Sequence, residues 1–362
     1  MDKQEQEQQG TKRKWVKSVP LLIVEVLILF LAIGILYVVV TATDRVERKE
    51  IDEENIAINE EVVEAMKTDE SKEETAKGYR NIALFGVDAR DGELGKGTRS
   101  DSIIILNINQ DTQEIKLISV FRDTYLNLGN DSYNKCNAAY AQGGPEQAIN
   151  MLNTNLDLDI TDYVTVGFGG LIDAVDALGG IEMEITDKEI SHLNNYQLSM
   201  ARDMGVDYIP IENSGAQLLN GMQATAYCRI RYGGGDDFRR AERQRNVLTA
   251  MMNKAKSASV SELTDMVNAI LPQVQTSLGL EDILSVLGSV AGYNVVASDG
   301  FPFADSRVGV RIGSKGDCII PDDLEENVIV LHDLLYPEMD YTPSKQVVSI
   351  SEEIEEQTEV YR

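Results

Sequence analysis

Acidic and guanidinium side chains recur where short apolar runs give way to polar residues. Asp88 and Arg90 follow the run Leu84–Val87, Arg99 and Asp101 precede Ile103–Leu106, and Arg122 and Asp123 follow Ile115–Val120. The first and third runs have the length and composition of buried strands. Ile103 to Leu106 is apolar at every position, as a strand covered on both faces would be. Asn109-Gln110-Asp111-Thr112 supplies turn chemistry between the second and third. Carboxylates and arginines at converging strand ends suit a divalent cation that holds a polyanion. A second concentration lies downstream, with six arginines between Ala226 and Arg245: Arg229, Arg231, Arg239, Arg240, Arg243 and Arg245. In a chain of 362 residues with formal charge −27, guanidinium gathered in one segment points to an anion, although a solvated basic helix face gives the same pattern.

The overall acidity excludes a nucleic-acid binder, which needs a basic footprint. Three widely spaced cysteines, Cys136, Cys228 and Cys318, form no metal-ligand spacing, so zinc is not expected. Cys136 and Cys228 read as small apolar core residues, and a disulfide between them stays open. The two histidines, His192 and His332, sit near no nucleophile motif.

The elements that must position these groups come after a membrane signal. Residues 1–18 form a polar, then basic, cytoplasmic tail. Residues 19–41 are apolar apart from Glu25, enough for one transmembrane helix. Basic residues before it and acidic residues after it predict an N-terminus in the cytoplasm and the bulk of the chain outside, in the cell membrane as a single-pass protein. A cleaved signal peptide is the rival, with an overlong apolar region and a poor cleavage site. Residues 42–78, with 13 acidic and 6 basic side chains from Asp44 to Lys77, read as an acidic helical stalk.

A folded domain is then expected over 79–344, and 345–362 as an acidic tail. Gly143-Gly144-Pro145 opens a helix, Tyr163–Val166 is a strand, and Leu171–Leu178 is an amphipathic helix closed by Gly179-Gly180. Ile181–Ile185 alternates as a half-exposed strand. Ser191–Asn213 reads as an irregular insertion and Gly215–Tyr227 as a helix. If Cys228–Arg231 is extended, Arg229 and Arg231 share a face. A long helix from about Phe238 to Lys256 would align Arg240, Arg243, Gln244 and Val247. The fold class expected is α/β, a central mixed sheet flanked by helices and preceded by one transmembrane helix.

The stretches GVDAR, TRSDSI, SVFRDTY, NKCNAAYAQGGPEQAI, VDALGGIEMEI, LNGMQATAYCRIRY and DDFRRAERQRNVL, in this order, resemble the LytR–CpsA–Psr enzymes of Gram-positive envelopes over roughly Tyr79 to Lys256. The resemblance implies an extracellular phosphotransferase. Such an enzyme moves an anionic glycopolymer (teichoic acid, capsule or a related polysaccharide) from a polyprenyl-pyrophosphate carrier to peptidoglycan through a phosphodiester bond. It implies Mg²⁺ held by Asp88 and Asp101, each of which alone would also pass for a strand-end turn residue. Arg99, Arg122, Arg229, Arg231 and Arg240 would clamp the pyrophosphate, since planar forks match phosphate oxygens. Gln244 and Arg243 extend that clamp, with a structural ion pair as the other role for Arg243. Lys135 and Asn137 fall at the rim.

Arg99 and Arg122 would act in catalysis, with Asp123 and Asp237 as candidate bases. Asp237 serves equally as a helix cap, and Asp123 as the group that orients Arg122. Arg90, Arg239 and Arg245 read as surface charges. Phe121 stands where the family usually has proline, Arg239 where it commonly has glycine, and Cys136 and Cys228 replace aliphatic residues. Two other outcomes fit the same residues: a pyrophosphatase or phosphatase that uses water, and a non-catalytic envelope regulator that binds lipid intermediates.

Overall fold

The structure is a computed structural model that describes residues 47–49, 51, 53–59, 78–87, 94–95, 97–232 and 237–361. The predicted tail at 1–18, the transmembrane span at 19–41, and Asp88 and Arg90 lie outside the described residues. Among the described residues no helix is long and apolar enough to cross a membrane.

A seven-stranded mixed sheet forms the centre, in the order β1-β10-β7-β2-β3-β4-β11. Its strands are β1 (Glu47–Arg48), β2 (Tyr79–Val87), β3 (Ser100–Asn109), β4 (Glu114–Val120), β7 (Asp162–Gly167), β10 (Val274–Thr276) and β11 (Asn294–Phe301). The β2–β3–β4 meander is antiparallel, whereas β2 with β7 and β4 with β11 run parallel. The β3–β4 turn closes as its residues demand: the Asn109 side-chain carbonyl accepts from the N–H groups of Asp111 and Thr112, both at 3.0 Å.

Alternation sorts the sheet into two faces. Ala83, Phe85, Val87, Ile103, Ile105, Ile118 and Val120 join the larger core, against α1 (Asn137–Leu156), α8 (Leu324–Leu335) and α9 (Lys345–Thr358). Ile82, Ile104, Ile108, Ile115 and Leu117 face the other way, with Leu84, Leu106, Val164, Leu248, Met252, Leu278, Tyr293 and Val295 only partly covered around them. The expectation that Ile103–Leu106 is an apolar run between two layers therefore holds, but the second layer is thin.

A third group of apolar residues joins α2 (Phe168–Ala177), β8 (Ile181–Ile185), α3 (Asp187–Met204), β9 (Gly215–Leu219) and α4 (Gly221–Arg229). Here the sequence reading needs two corrections. Residues 191–213, read as an irregular insertion, are mostly α3, whose first turn is closed by Glu189 accepting from the Thr186 N–H at 3.0 Å. Gly215–Leu219 is not helical but pairs antiparallel with β8, and α4 begins only after the Asn220 cap. Both starts carry a box of cap residue and Glu or Gln three positions on (Thr186/Glu189, Asn220/Gln223) that the apolar pattern alone did not reveal.

The ends of the domain also differ from expectation. The tail assigned to 345–362 contains α9, whose Val347, Ile350 and Ile354 are buried in the larger core. The described part of the stalk lies on the domain, not off it. The backbone of β1 pairs with β10, Ile56 is buried, and the Ala57 N–H donates to the Asn150 side chain at 2.8 Å. Within α1 the helix breaks at Gly144 (φ 72°, ψ −154°), and Pro145 opens its second segment. All three cysteines are free and buried, so Cys136 and Cys228 form no disulfide.

Candidate active site

Strand register brings the first pair together. β3 and β4 align Ile104 with Ser119; continued outward, that antiparallel register sets Asp101 opposite Arg122. The Arg122 Nη1–H donates to Asp101 Oδ1. The turn after β4 is pinned from several sides: the Thr124 N–H donates to the Phe121 carbonyl (2.8 Å), the Asn137 N–H to that of Arg122 (3.2 Å) and the Ile319 N–H to that of Asp123 (2.9 Å).

The first turns of α5 (Asp237–Ser257) close over this corner. Asp237 Oδ1 lies 2.9 Å from Arg240 Nη2, 3.1 Å from Arg231 Nη2 and 3.8 Å from Arg122 Nε. Gln244, one turn beyond Arg240, lines the inner pocket with Asp101, Ser102, Arg122, Asp237 and Arg240. Burial draws the Arg122 guanidinium down, but Asp101, Asp123 and Asp237 outweigh it and the group ends above its ordinary value. Arg122 Nε, Arg240 Nε and Asp237 Oδ1 are buried without a properly directed hydrogen bond. Buried donors left in this state are costly, and a bound anion would satisfy them.

The pocket widens into a cleft of about 1140 Å³ lined by Arg99, Arg122, Asp123, Asn134, Lys135, Asn137, Arg231 and Asp237. Lys135 Nζ sits 2.8 Å from Asp123 Oδ1, and Arg122 Nε 3.5 Å from the other carboxylate oxygen. The far wall comes from a hairpin, β12 (Arg307–Ile312) with β13 (Gly316–Pro321), and contributes Arg311, Ser314, Lys315 and Asp317. Residues 313–321 read in the sequence as a hairpin or loop, but nothing there places these side chains at the site.

Of the residues expected here, Arg99, Arg122, Asp123, Lys135, Asn137, Arg231, Asp237, Arg240, Asp101 and Gln244 line this connected site. Arg229 and Arg243 have other surroundings. Residue 229 ends a helix, so it does not alternate with Arg231, and its guanidinium packs on the rings of Phe168 (4.7 Å) and Tyr196 (5.5 Å). Arg243 is buried, donates from Nε to Glu189 (3.0 Å) and from Nη1 to the Ile230 carbonyl (3.2 Å). That is the structural ion pair left open for it, not a place in the clamp. Arg245, read as a surface charge, is buried and donates to Ser298 Oγ at 2.9 Å. Arg239 is exposed.

Phe121, whose carbonyl accepts from the Thr124 N–H, packs against the start of α5. Its ring lies over Gly300, where a Cβ would collide with it, and stands edge-on to Phe238 at 4.7 Å. The Arg307 guanidinium covers both rings, 4.9 Å from Phe121 and 3.7 Å from Phe238. This wedge ties the start of α5 to β11 and the hairpin.

Fold and site together define a mixed α/β protein with an arginine-rich, carboxylate-studded pocket near a half-covered apolar sheet face. The chain belongs to the LytR_cpsA_psr family, whose model matches residues 42–308. It is 32% identical over 220 residues to a polyisoprenyl-teichoic acid–peptidoglycan teichoic acid transferase TagU of Oceanobacillus iheyensis, covering 59% of this chain and 63% of that protein. To the Enterococcus faecalis TagU it is 32% identical over 209 residues, covering 57% and 64%. Less than two thirds of the length of either relative is therefore matched. The crystal structure of Bacillus subtilis TagV superimposes with a TM-score of 0.57 at 26% identity, covering 74% of this chain and 99% of that one.

Proposed function

We propose that this protein is a membrane-anchored, extracellular phosphotransferase that moves an anionic glycopolymer from a polyprenyl-pyrophosphate carrier to peptidoglycan. The observation that carries the reading is the pocket at Arg122, Arg240 and Asp237, where the Nε–H groups of both arginines are buried without a directed hydrogen bond although the chain as a whole is strongly acidic. Family membership and the transferase names of the TagU relatives support it. The half-covered residues around Leu84, Leu106, Leu248 and Met252 offer an apolar surface suited to a prenyl chain.

Arg122, Arg231 and Arg240 hold the pyrophosphate oxygens and balance the charge that moves onto the leaving prenyl phosphate. Asp237, engaged by these same three cations, arrays them. Asp123 lines the wider cleft, and in this reading it takes the proton of the acceptor sugar hydroxyl as that oxygen attacks phosphorus. Arg99 and Lys135 steer the anionic donor at the rim, and Asn137 offers it an amide.

The donor set also suits Mg²⁺. Among the described residues no three His, Cys, Asp or Glu side chains gather as a ligand group, but Mg²⁺ at phosphate sites needs only one or two carboxylates beside phosphate oxygens and water. Asp101, 34% exposed at the pocket floor, is one such carboxylate, and Asp88 is the second that the family resemblance implies. Bound there, Mg²⁺ would draw negative charge from the phosphate oxygens.

The test uses the purified full chain in detergent with a synthetic prenyl-pyrophosphate oligosaccharide and a peptidoglycan oligomer, with Mg²⁺ or EDTA, read by mass spectrometry. A phosphodiester-linked conjugate that requires Mg²⁺ and is lost in Asp101→Ala is expected. Free prenyl phosphate without conjugate would replace the transferase by a hydrolase. Lipid binding without turnover would leave a carrier-binding protein.

A further inference from the structure

Arg231 is the cation of the clamp with the weakest local support. It follows the last residues of α4, and on its other side the sequence runs Gly233-Gly234-Gly235 before Asp236 and α5. That connection carries three consecutive residues without a Cβ. An ion pair to Asp237 across it, at 3.1 Å, would by itself hold Arg231 poorly, since its side chain is 35% exposed.

A second tie spans the same gap from below. Arg243, six residues along α5 from Asp237 and so about 9 Å further down its axis, donates from Nη1 to the Ile230 carbonyl at 3.2 Å. That carbonyl belongs to the peptide unit that supplies the N–H of Arg231. Ile230 is fully buried, and its own N–H donates to the Tyr227 carbonyl at 3.3 Å. The Tyr232 ring on the other side of Arg231 packs against the Arg243 guanidinium (4.9 Å) and edge-on to His192 (4.7 Å).

The orientation of Arg243 is set in turn by Glu189, 3.0 Å from its Nε and 9% exposed. Burial favours the neutral acid, yet the Thr186 N–H, Arg243 and the Thr186 hydroxyl together hold the Glu189 carboxyl below its usual range. Glu189 and His192 both stand on the first turns of α3. The chain α3–Glu189–Arg243–Ile230 thus fixes both neighbours of Arg231 to two helices.

Resting on the pyrophosphate-site reading above, we propose that Glu189 and Arg243 are positioning residues. They staple the Ile230–Tyr232 segment to α3 and α5 and so aim Arg231 at the substrate phosphates. A purely structural pair would cost folding stability and leave the contribution of Arg231 to phosphate binding intact; a positioning pair would erase that contribution.

The experiment is a double-mutant cycle on the full chain: Arg231→Ala, Arg243→Gln and both together, titrated with inorganic pyrophosphate and Mg²⁺ by calorimetry, with Tm recorded for each. Arg231→Ala and Arg243→Gln are each expected to weaken pyrophosphate binding, and the double variant to be no weaker than about the worse single one. Glu189→Gln, which keeps the shape of the side chain, is the second entry to the same cycle should Arg243→Gln fail to fold. Multiplicative effects in a folded double variant, or wild-type affinity in folded Arg243→Gln, would overturn the positioning role. Wild-type affinity in Arg231→Ala would remove the anion site assigned to Arg231 and this inference with it, whereas uncoupled losses would remove only the inference.

Discussion

Replacement of Arg240 by alanine tests the clamp most directly. The side chain is 8% exposed, with Nη2 2.9 Å from Asp237 and Nε buried without an acceptor. The Asp101 carbonyl, at 3.5 Å from Nη2, is a weak partner. Truncation therefore removes one ion pair but also relieves one unsatisfied buried donor, worth about 1–3 kcal/mol in the opposite direction. Folding stability should change little. Binding is different, because a charge-assisted bond to a phosphate oxygen contributes about 1.5–3 kcal/mol, which is roughly a 10- to 150-fold loss at 1.4 kcal/mol per decade. Arg240→Lys should recover only part of it, since an ammonium lacks the planar fork. The assay is calorimetric titration with pyrophosphate and Mg²⁺, with thermal unfolding alongside. Arg245→Ala is the control: that arginine is equally buried on the same helix and likewise carries an unpartnered N–H, but it bonds Ser298 and not the pocket, so pyrophosphate affinity should stay unchanged. A folded Arg240→Ala protein within threefold of wild-type affinity would refute the clamp.

Three further outcomes follow from packing and titration. Gly300→Ala puts a Cβ into the Phe121 ring and should cost about 1–3 kcal/mol in urea unfolding, with Phe121→Val in the same chain relieving the clash; an unperturbed single variant would contradict the wedge. Ile354→Ala should cost about 2–5 kcal/mol, because α9 is buried core and not a tail; a neutral result would return it to the surface. Burial pushes His332 below its ordinary value against the pull of the Leu156 carbonyl, Asp157, Asp159 and Asp333. The unfolded chain then binds the extra proton first, so this stability is complete above about pH 6.5 and is lost as pH falls below it. His332→Gln should flatten the decline of Tm between pH 7 and 5, and an unchanged slope would show that His332 does not contribute to it.

The local chemistry of the site is legible in the chain itself. β2, β3 and β4 announce themselves by apolar runs, the Asn109–Thr112 turn fixes their hairpin, and the hairpin register then leaves Asp101 and Arg122 no place but opposite each other. The acidic chain with clustered arginines points to an anion as the ligand, although a solvated basic helix face gives the same pattern. What sequence could not decide is which arginine faces that anion. Arg240 and Arg243 lie one turn apart on α5 and look alike in one dimension, yet Glu189, 54 residues upstream, takes Arg243 into a buried pair. Arg245 likewise goes inward to Ser298. The hairpin wall of the cleft, the burial of α9 and the packing of Ile56 and Ala57 on the domain all depend on contacts between segments far apart in the chain. Periodicity reports what a segment buries, and only the assembled fold reports against what; a buried guanidinium goes wherever the tertiary structure has set a carboxylate or left an acceptor missing.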